Sequence, residues 1–266
     1  MSRIALIAGA GALPAELAAL LDAPLICAPA GVQPQGLAVD MVFNFERLSP
    51  FLRALGDQGI DSVALVGAIH RPRLDPALFD RETAMLVPQL LAAMKGGDDS
   101  ALRWIIALIE EYDLQVKGLA ELAPSLLAAE GVLTQRAPLD SERSDAARGH
   151  AILDALAPQD VGQGCVVADG LCLAVEALYG TDAMLGDVAR HRAERTPQQG
   201  GVFVKRAKLG QDLRADLPAI GPETIAAAQA AGLTAIALQA GRVVVLNRPA
   251  VLAAAEAAQI AIWAAP

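Results

Sequence analysis

Short unbroken apolar runs alternate along this chain with stretches in which apolar residues recur every third or fourth position. The first rhythm predicts buried strands and the second predicts helices with one apolar face. In the first half the runs fall at 4–8, 24–28, 41–45 and 62–69, with helical spacing at 15–21, 48–55, 82–94 and 101–112. In the second half a helix is expected at 146–157. A hairpin follows at 165–167 and 171–177, turning through Ala168, Asp169 and Gly170. The pattern then gives a helix at 183–192, a strand at 201–205, a helix at 223–231, strands at 234–239 and 242–247 around an Ala-Gly turn, a helix at 249–259 and a strand at 260–263. Such alternation predicts an α/β fold in two domains. A Rossmann-like parallel sheet is expected in residues 1–133 and a mixed α/β domain in 144–266. The polar, Pro-containing stretch TQRAPLDSER at 134–143 reads as the linker.

Composition narrows this picture. Apolar residues make up 54% of the chain but aromatics only 3%, so the core is expected to be built from Ala, Leu, Val and Ile. A net charge of -9 argues against a nucleic-acid partner and against a polybasic membrane patch. No apolar run reaches the roughly 18 residues of a spanning helix. The opening MSRIALIAGAGALP reads as a buried strand and a Gly-rich turn rather than a signal peptide. Cys27, Cys165 and Cys172 lie in apolar runs without paired spacing, which predicts buried thiols in a reducing cytoplasm.

Candidate chemistry concentrates in a few places. Strand, GAGALP and helix together form the opening of a nucleotide-binding unit, although Pro14 stands where a third Gly would be. That turn either receives an anion on its amides or is simply tight. The run at 62–69 leads into His70, Arg71, Pro72 and Arg73. The two arginines either face a diphosphate or lie on the surface, and His70 either meets a ligand or is structural. Asp98 and Asp99 precede a helix, and capping explains one of them. Thr181 or Asp182 caps the helix at 183. The densest polar stretch is KRAKLGQDLRADLPAIGPET at 205–224. Its bases could face phosphate, and Asp212 and Asp216, four apart, could hold a hard divalent cation. A solvated salt-bridge loop explains the same spacing. His70, His150 and His191 lie in unrelated contexts, and there is no GxSxG, HExxH or Cys/His metal spacing. Carboxylates, bases and glycine turns remain, a set suited to metal-assisted phosphoryl chemistry.

Four ordered stretches resemble one family. IALIAGAGALPAELA (4–18), KGGDDSALR (95–103), LAVEALYGTDAM (173–184) and QDLRADLPAIGPET (211–224) look like the UDP-2,3-diacylglucosamine pyrophosphatases of the LpxI type, from lipid A biosynthesis. The resemblance implies Mg²⁺-dependent hydrolysis of UDP-2,3-diacylglucosamine to UMP and 2,3-diacylglucosamine 1-phosphate (lipid X), with water attacking the sugar-side phosphorus. Asp216 matches the family's essential aspartate, as metal ligand or water-orienting base, supported by Gln211, Asp212 and Arg214. Lys205 and Lys208 would oppose phosphate charge. The nucleotide would meet Gly11, Ala12, Leu13, Ile69, His70 and Arg71, with the ligand between the two domains. Asp98, Asp99, Glu176, Gly180, Thr181 and Asp182 fall in matched motifs as further substrate contacts. The family also implies a cytoplasmic enzyme, peripheral at the inner membrane, and a homodimer. Two departures stand out: Lys208-Leu209-Gly210 where the family has Lys-Pro before Gln, and Leu178-Tyr179 where it favours an acidic residue before Gly. Other classes stay open. A dinucleotide-dependent oxidoreductase would need an acidic residue at the end of the second strand, which instead runs into Ala28-Pro29-Ala30. A non-catalytic nucleotide- or lipid-binding protein would leave Asp216 structural.

Overall fold

A computed structural model describes residues 3–69, 74–95, 98–194 and 199–266, without the side chains of Asp98 and Asp99. Contacts divide the chain into two units. Met1–Ala123 with Asp212–Asp216 form the first, and Pro124–Gln211 with Leu217–Pro266 the second.

The first unit runs β1 (Ile4–Ala8), α1 (Leu13–Ala18), β2 (Leu25–Pro29), β3 (Met41–Phe43), α2 (Leu48–Asp57), β4 (Ser62–Val66), α3 (Arg81–Lys95), α4 (Asp98–Glu111), β5 (Gln115–Val116) and α5 (Leu119–Leu122). Its strands form a parallel sheet ordered β3-β2-β1-β4-β5. That order is the Rossmann-like arrangement expected. Central β1, reading IALIA, is buried on both faces, which is why it shows no alternation. Helix α2 seats Leu48, Phe51, Leu52 and Leu55 on one face, and Phe51 stacks on Phe43 with ring centroids 4.0 Å apart.

β1 and β4 are stapled beyond their carboxyl ends. Gly9 N donates to Val66 O at 2.7 Å, Ala10 N to Ala68 O at 2.8 Å, and Ala68 N to Ala10 O at 3.0 Å. This approach needs Gly9, because a Cβ there would lie 2.5 Å from Ala68 O.

The second unit runs β6 (Gly131–Val132), α6 (Asp140–Leu156), β7 (Gly164–Ala168), β8 (Leu171–Val175), α7 (Gly180–Arg192), β9 (Val202–Lys205), β10 (Ala219–Ile220), α8 (Pro222–Ala230), β11 (Ala235–Gln239), β12 (Val244–Val245), α9 (Arg248–Ala257) and β13 (Ala261–Ala265). The main sheet is ordered β6-β13-β11-β9-β7-β8, with β13, β11 and β9 parallel, β6 antiparallel to β13, β7 antiparallel to β9 and β8 antiparallel to β7. Alternation along the strands sorts the core. Phe203, Ile236 and Ile262 meet α7, α8 and α9 on one face. Val202, Val204, Ala235, Ala237 and Ala261 lie on the other with Ala146 and Leu153 of α6. Gly149 brings α6 close, since a Cβ there would sit 2.6 Å from a Val204 methyl. Small residues at a close helix approach are how an alanine-rich chain fills a core with few aromatics.

Several expectations change. The predicted linker at 134–143 is built into the second unit. Thr134 Oγ accepts from Ile262 N at 2.9 Å, and α6 starts at Asp140, six residues early. Its polar start turns inward: the buried Glu142 carboxylate accepts from Leu139 N (2.8 Å), Arg136 Nη2 (2.6 Å) and Thr234 Oγ (2.7 Å). The contact division falls at 123/124 instead of 133/134. The run at 242–247 is a strand only at Val244–Val245. It pairs with β10 in a separate two-stranded sheet, while its sequence neighbour β11 pairs with β9 and β13. Cys172 is exposed on edge strand β8, whereas Cys27 and Cys165 are buried as expected, burial pushing both thiols up to about 12. The β7–β8 turn behaves as predicted. Asp169 and Gly170 both take positive φ, and the Asp145 carboxylate accepts from both of their amides.

Burial pushes the Glu142 carboxyl up, but its hydrogen bonds from Arg136, Thr234 and Leu139 outweigh that and hold it below the usual range. A depressed carboxyl adds stability above its unfolded value and loses it as pH falls through the folded one. Glu142→Gln should therefore cost about 1–3 kcal/mol at pH 7. Its deficit against the unaltered protein should shrink as pH falls below about 4.5, as read by urea unfolding across pH.

Candidate active site

Lys205 closes β9, opposite Gly164 of β7. Its ammonium donates to Glu176 Oε2 at 2.8 Å and to Thr181 Oγ at 2.6 Å. The lysine side chain is 4% exposed and the glutamate 12%, so both charges have left water. Backbone fixes the carboxylate: Glu176 N donates to Gly164 O at 2.8 Å. Gly164 also makes room for it, as a Cβ there would lie 2.7 Å from Glu176 Oε2 and 2.8 Å from the Phe203 ring. The expected cap at Thr181 or Asp182 is not made. Tyr179 takes the cap position of α7 without a side-chain bond, and the Thr181 hydroxyl turns to the lysine instead. Gly180 starts the helix at φ +81, and Asp182 is exposed in its first turn. Glu176 and Thr181, from one matched motif, thus join Lys205 in one cluster around the buried ammonium.

Beyond β9 the loop is braced by 160–163. Gln211 Oε1 accepts from Gln163 Nε2 at 3.2 Å and from Lys208 N at 3.1 Å. Lys208 Nζ donates to the Asp160 carbonyl (3.0 Å) and carboxylate (2.9 Å). Asp160 and Gln163 had no signal in the sequence, because these pairs span 48 residues.

Asp212, Arg214 and Asp216 group with the first unit. Ala215 N and Asp216 N both point to Asp212 O, at 3.3 and 3.4 Å, which curls the segment into one turn. The Asp212 carboxylate takes Arg214 N at 3.0 Å, Nε at 3.0 Å and Nη2 at 2.8 Å. These bonds from Arg214 hold the Asp212 carboxyl below the usual range, and the same carboxylate raises the Arg214 guanidinium. The other edge of Arg214 reaches Glu110 Oε1 at 2.6 Å. Glu110 escaped the sequence reading because its partner lies 104 residues away.

At the β1–β4 switch point, Gly11 (φ +94) has open space around a built Cβ. Ala12 precedes α1 without a side-chain cap, and Leu13 is the first helical residue. Ile69, 38% exposed, follows the staple. Ligands of open parallel sheets lie beyond this edge. His70 and Arg71, like Arg73, lie outside the described residues, as do the side chains of Asp98 and Asp99, whose backbone opens α4.

The oxygen-rich set suits a hard cation. Among the described residues no three His, Cys, Asp or Glu side chains gather into a metal cage. Mg²⁺ commonly takes one or two carboxylates and completes its shell with water and phosphate oxygens. Asp212 and Asp216, one turn apart, fit that demand in kind, with Asp212 already committed to Arg214.

The sequence matches the family model for the LpxI N-terminal domain over residues 3–126 and that for the LpxI C-terminal domain over 129–263. The chain belongs to the LpxI family. It is similar to the UDP-2,3-diacylglucosamine pyrophosphatase LpxI of Caulobacter vibrioides, with 35% identity over 277 residues, spanning 96% of this chain and 95% of the relative. The two LpxI domain models meet between residues 126 and 129, beside the contact division at 123/124.

In this LpxI chain the buried Lys205–Glu176 pair is a coupled element. Glu176→Ala strands an ammonium in the interior and should cost about 3–5 kcal/mol. Lys205→Met combined with Glu176→Ala should cost clearly less than the sum of the single changes. Urea unfolding of the four proteins measures the coupling; strict additivity would mean that the two charges do not depend on each other.

Proposed function

We propose that this LpxI-family protein hydrolyses the pyrophosphate bond of UDP-2,3-diacylglucosamine, releasing UMP and 2,3-diacylglucosamine 1-phosphate (lipid X). The observation that carries this reading is the 35% identity along nearly the whole length of a relative named for that activity. The geometry supports it with a carboxylate turn, a buried lysine cluster and an open glycine turn at a parallel-sheet switch point.

Water adds to the sugar-side phosphorus, the bond from that phosphorus to the bridging oxygen breaks, and UMP leaves with the bridging oxygen. Asp216 orients the water and takes its proton. Asp212 shapes the turn that presents Asp216, through its fork to Arg214. Gln211 braces the preceding loop, and Lys205 supplies positive charge opposite the phosphates with Glu176 and Thr181 fixing its position. Lys208 acts from the loop edge, anchored to Asp160. Mg²⁺, when bound, offsets the charge of the diphosphate oxygens, and Asp216 is the residue assigned to hold it. The uridine side is assigned to Gly11, Ala12, Leu13, Ile69, His70 and Arg71. Asp98, Asp99, Gly180 and Asp182 are assigned as further substrate contacts.

The same reading places the enzyme in the cytoplasm as a homodimer that visits the inner-membrane surface, since its substrate carries two acyl chains. None of the described helices is long and apolar enough to cross a membrane. Leu178 and Tyr179, 90% and 85% exposed beside Glu176 and Thr181, present an apolar tip fit for shallow insertion.

Activity on UDP-2,3-diacylglucosamine should require Mg²⁺, vanish with EDTA, and fall by about a thousandfold in Asp216→Ala. In water enriched in heavy oxygen the label should appear in lipid X and not in UMP. Tight binding without turnover by the folded protein would leave a binding protein, and label in UMP would reverse the direction of attack. A second expectation concerns the tip. Leu178→Asp with Tyr179→Asp should reduce co-sedimentation with phosphatidylcholine vesicles about fivefold or more while leaving hydrolysis of a short-chain soluble analogue within about twofold. Unchanged sedimentation would remove the tip from any membrane role.

A further inference from the structure

The carboxylate turn at Asp212–Asp216 does not hold its shape alone. Several of the contacts made on it within the first unit involve α4 and the residues just beyond β5. Glu110, on the last turn of α4, accepts from Arg214 Nη1 at 2.6 Å. Arg214 spends its other edge and its backbone amide on Asp212, so one guanidinium is clasped between two carboxylates. Ala215, between Arg214 and Asp216, sits against the hydrophobic cluster that includes Ile106, Ile109, Leu114 and Val116. Gly118 lies under the turn, where a Cβ would stand 3.0 Å from Arg214 Cα and 3.4 Å from Leu213 O. Its φ of -93 is open to any residue, so the need for glycine is one of space and not of backbone conformation.

These four contacts have one result in common. They act on Asp212, Leu213, Arg214 and Ala215, the first four residues of a five-residue turn whose last member is Asp216. An arginine held in this way is not available as a mobile phosphate clamp, and a carboxylate held in this way is a brace before it is a metal ligand.

We propose that Glu110 and Gly118 are positioning residues for Asp216: Glu110 fixes the Arg214–Asp212 clasp from outside, and Gly118 lets the turn settle against the first unit. This rests on the pyrophosphatase reading for its activity arm only. Both residues lie outside the four stretches that carry the family resemblance. Glu110 and Arg214 are each about two-fifths exposed, so their ion pair alone is a modest contributor and Gly118 should matter more.

The test uses Gly118→Ala, Glu110→Ala and Glu110→Asp in the full chain. Glu110→Ala should lower kcat about twofold to fivefold, in line with a partly exposed pair. Gly118→Ala should lower it about tenfold to a hundredfold, the cost of a displacement on the order of an ångström at a reacting group. KM should stay within about twofold in both, and Glu110→Asp should recover part of the loss, results that a general weakening of the fold would not give. Hydrogen exchange read on the amides of 213–216 should quicken in Gly118→Ala and Glu110→Ala, while those of β1 and α2 keep their protection. Unchanged exchange at 213–216, or a loss of kcat that follows only the loss of folded protein, overturns the proposal. If the unaltered protein hydrolyses nothing, the pyrophosphatase reading fails by itself, and the exchange experiment still decides whether Glu110 and Gly118 seat the turn.

Discussion

A lysine ammonium buried at the end of a strand imposes conditions on everything near it. Lys205 can leave water only because Glu176 answers its charge and Thr181 takes another of its protons. Glu176 can be there only because β7 carries Gly164 in the register opposite Lys205, where any side chain would collide with the carboxylate. Thr181 can be there only because α7 begins at Gly180 without using the threonine as its cap. Two strands, a glycine and a helix start are thus tied to a single charge. A hydrophobic replacement of similar volume would often be as stable, so stability alone does not account for a buried ion pair at the foot of the polar loop.

The loop that leaves Lys205 changes character within a few residues. As far as Gln211 it is braced by Gln163 and by the Lys208–Asp160 pair. From Asp212 it is organised by contacts of the first unit, ending with Ala215 against that unit's core. Asp212 is the instructive residue. Spacing makes it one of two carboxylates suited to a cation, and geometry shows both its oxygens answered by Arg214. The two roles differ in consequence, because a carboxylate saturated by a guanidinium organises backbone first, whereas Asp216 carries the chemistry of the turn in the proposed reaction.

Much of the architecture was legible from pattern. The apolar runs at β1, β2, β4, β9 and β11 are strands buried on both faces, and such runs announce themselves without any partner. The Asp169-Gly170 turn was legible because positive φ at two successive positions selects these residues. Short strands were not. β5, β6 and β10 have two residues each, too few to show a period, and exist because a neighbouring strand offers hydrogen bonds. The run at 242–247 showed the opposite error, since a strand-like sequence says nothing about which strand it will join.

The site divides along the same line. Sequence by itself determined the alternating α/β plan, the glycine turn after β1 and the identity of the acidic and basic residues around 205–216, because these depend on local periodicity, turn chemistry and side-chain type. Only tertiary structure decided that Lys205 finds Glu176 and Thr181, that Thr181 is no cap, that Asp212 belongs to Arg214, and that Glu110 and Gly118 lie behind the turn. Those pairings join residues from 2 to 104 positions apart. The long-range ones are set by strand register and helix packing, which bring together side chains that no local pattern connects, and the short Asp212–Arg214 clasp is chosen over solvent because the first unit holds the turn in which it forms.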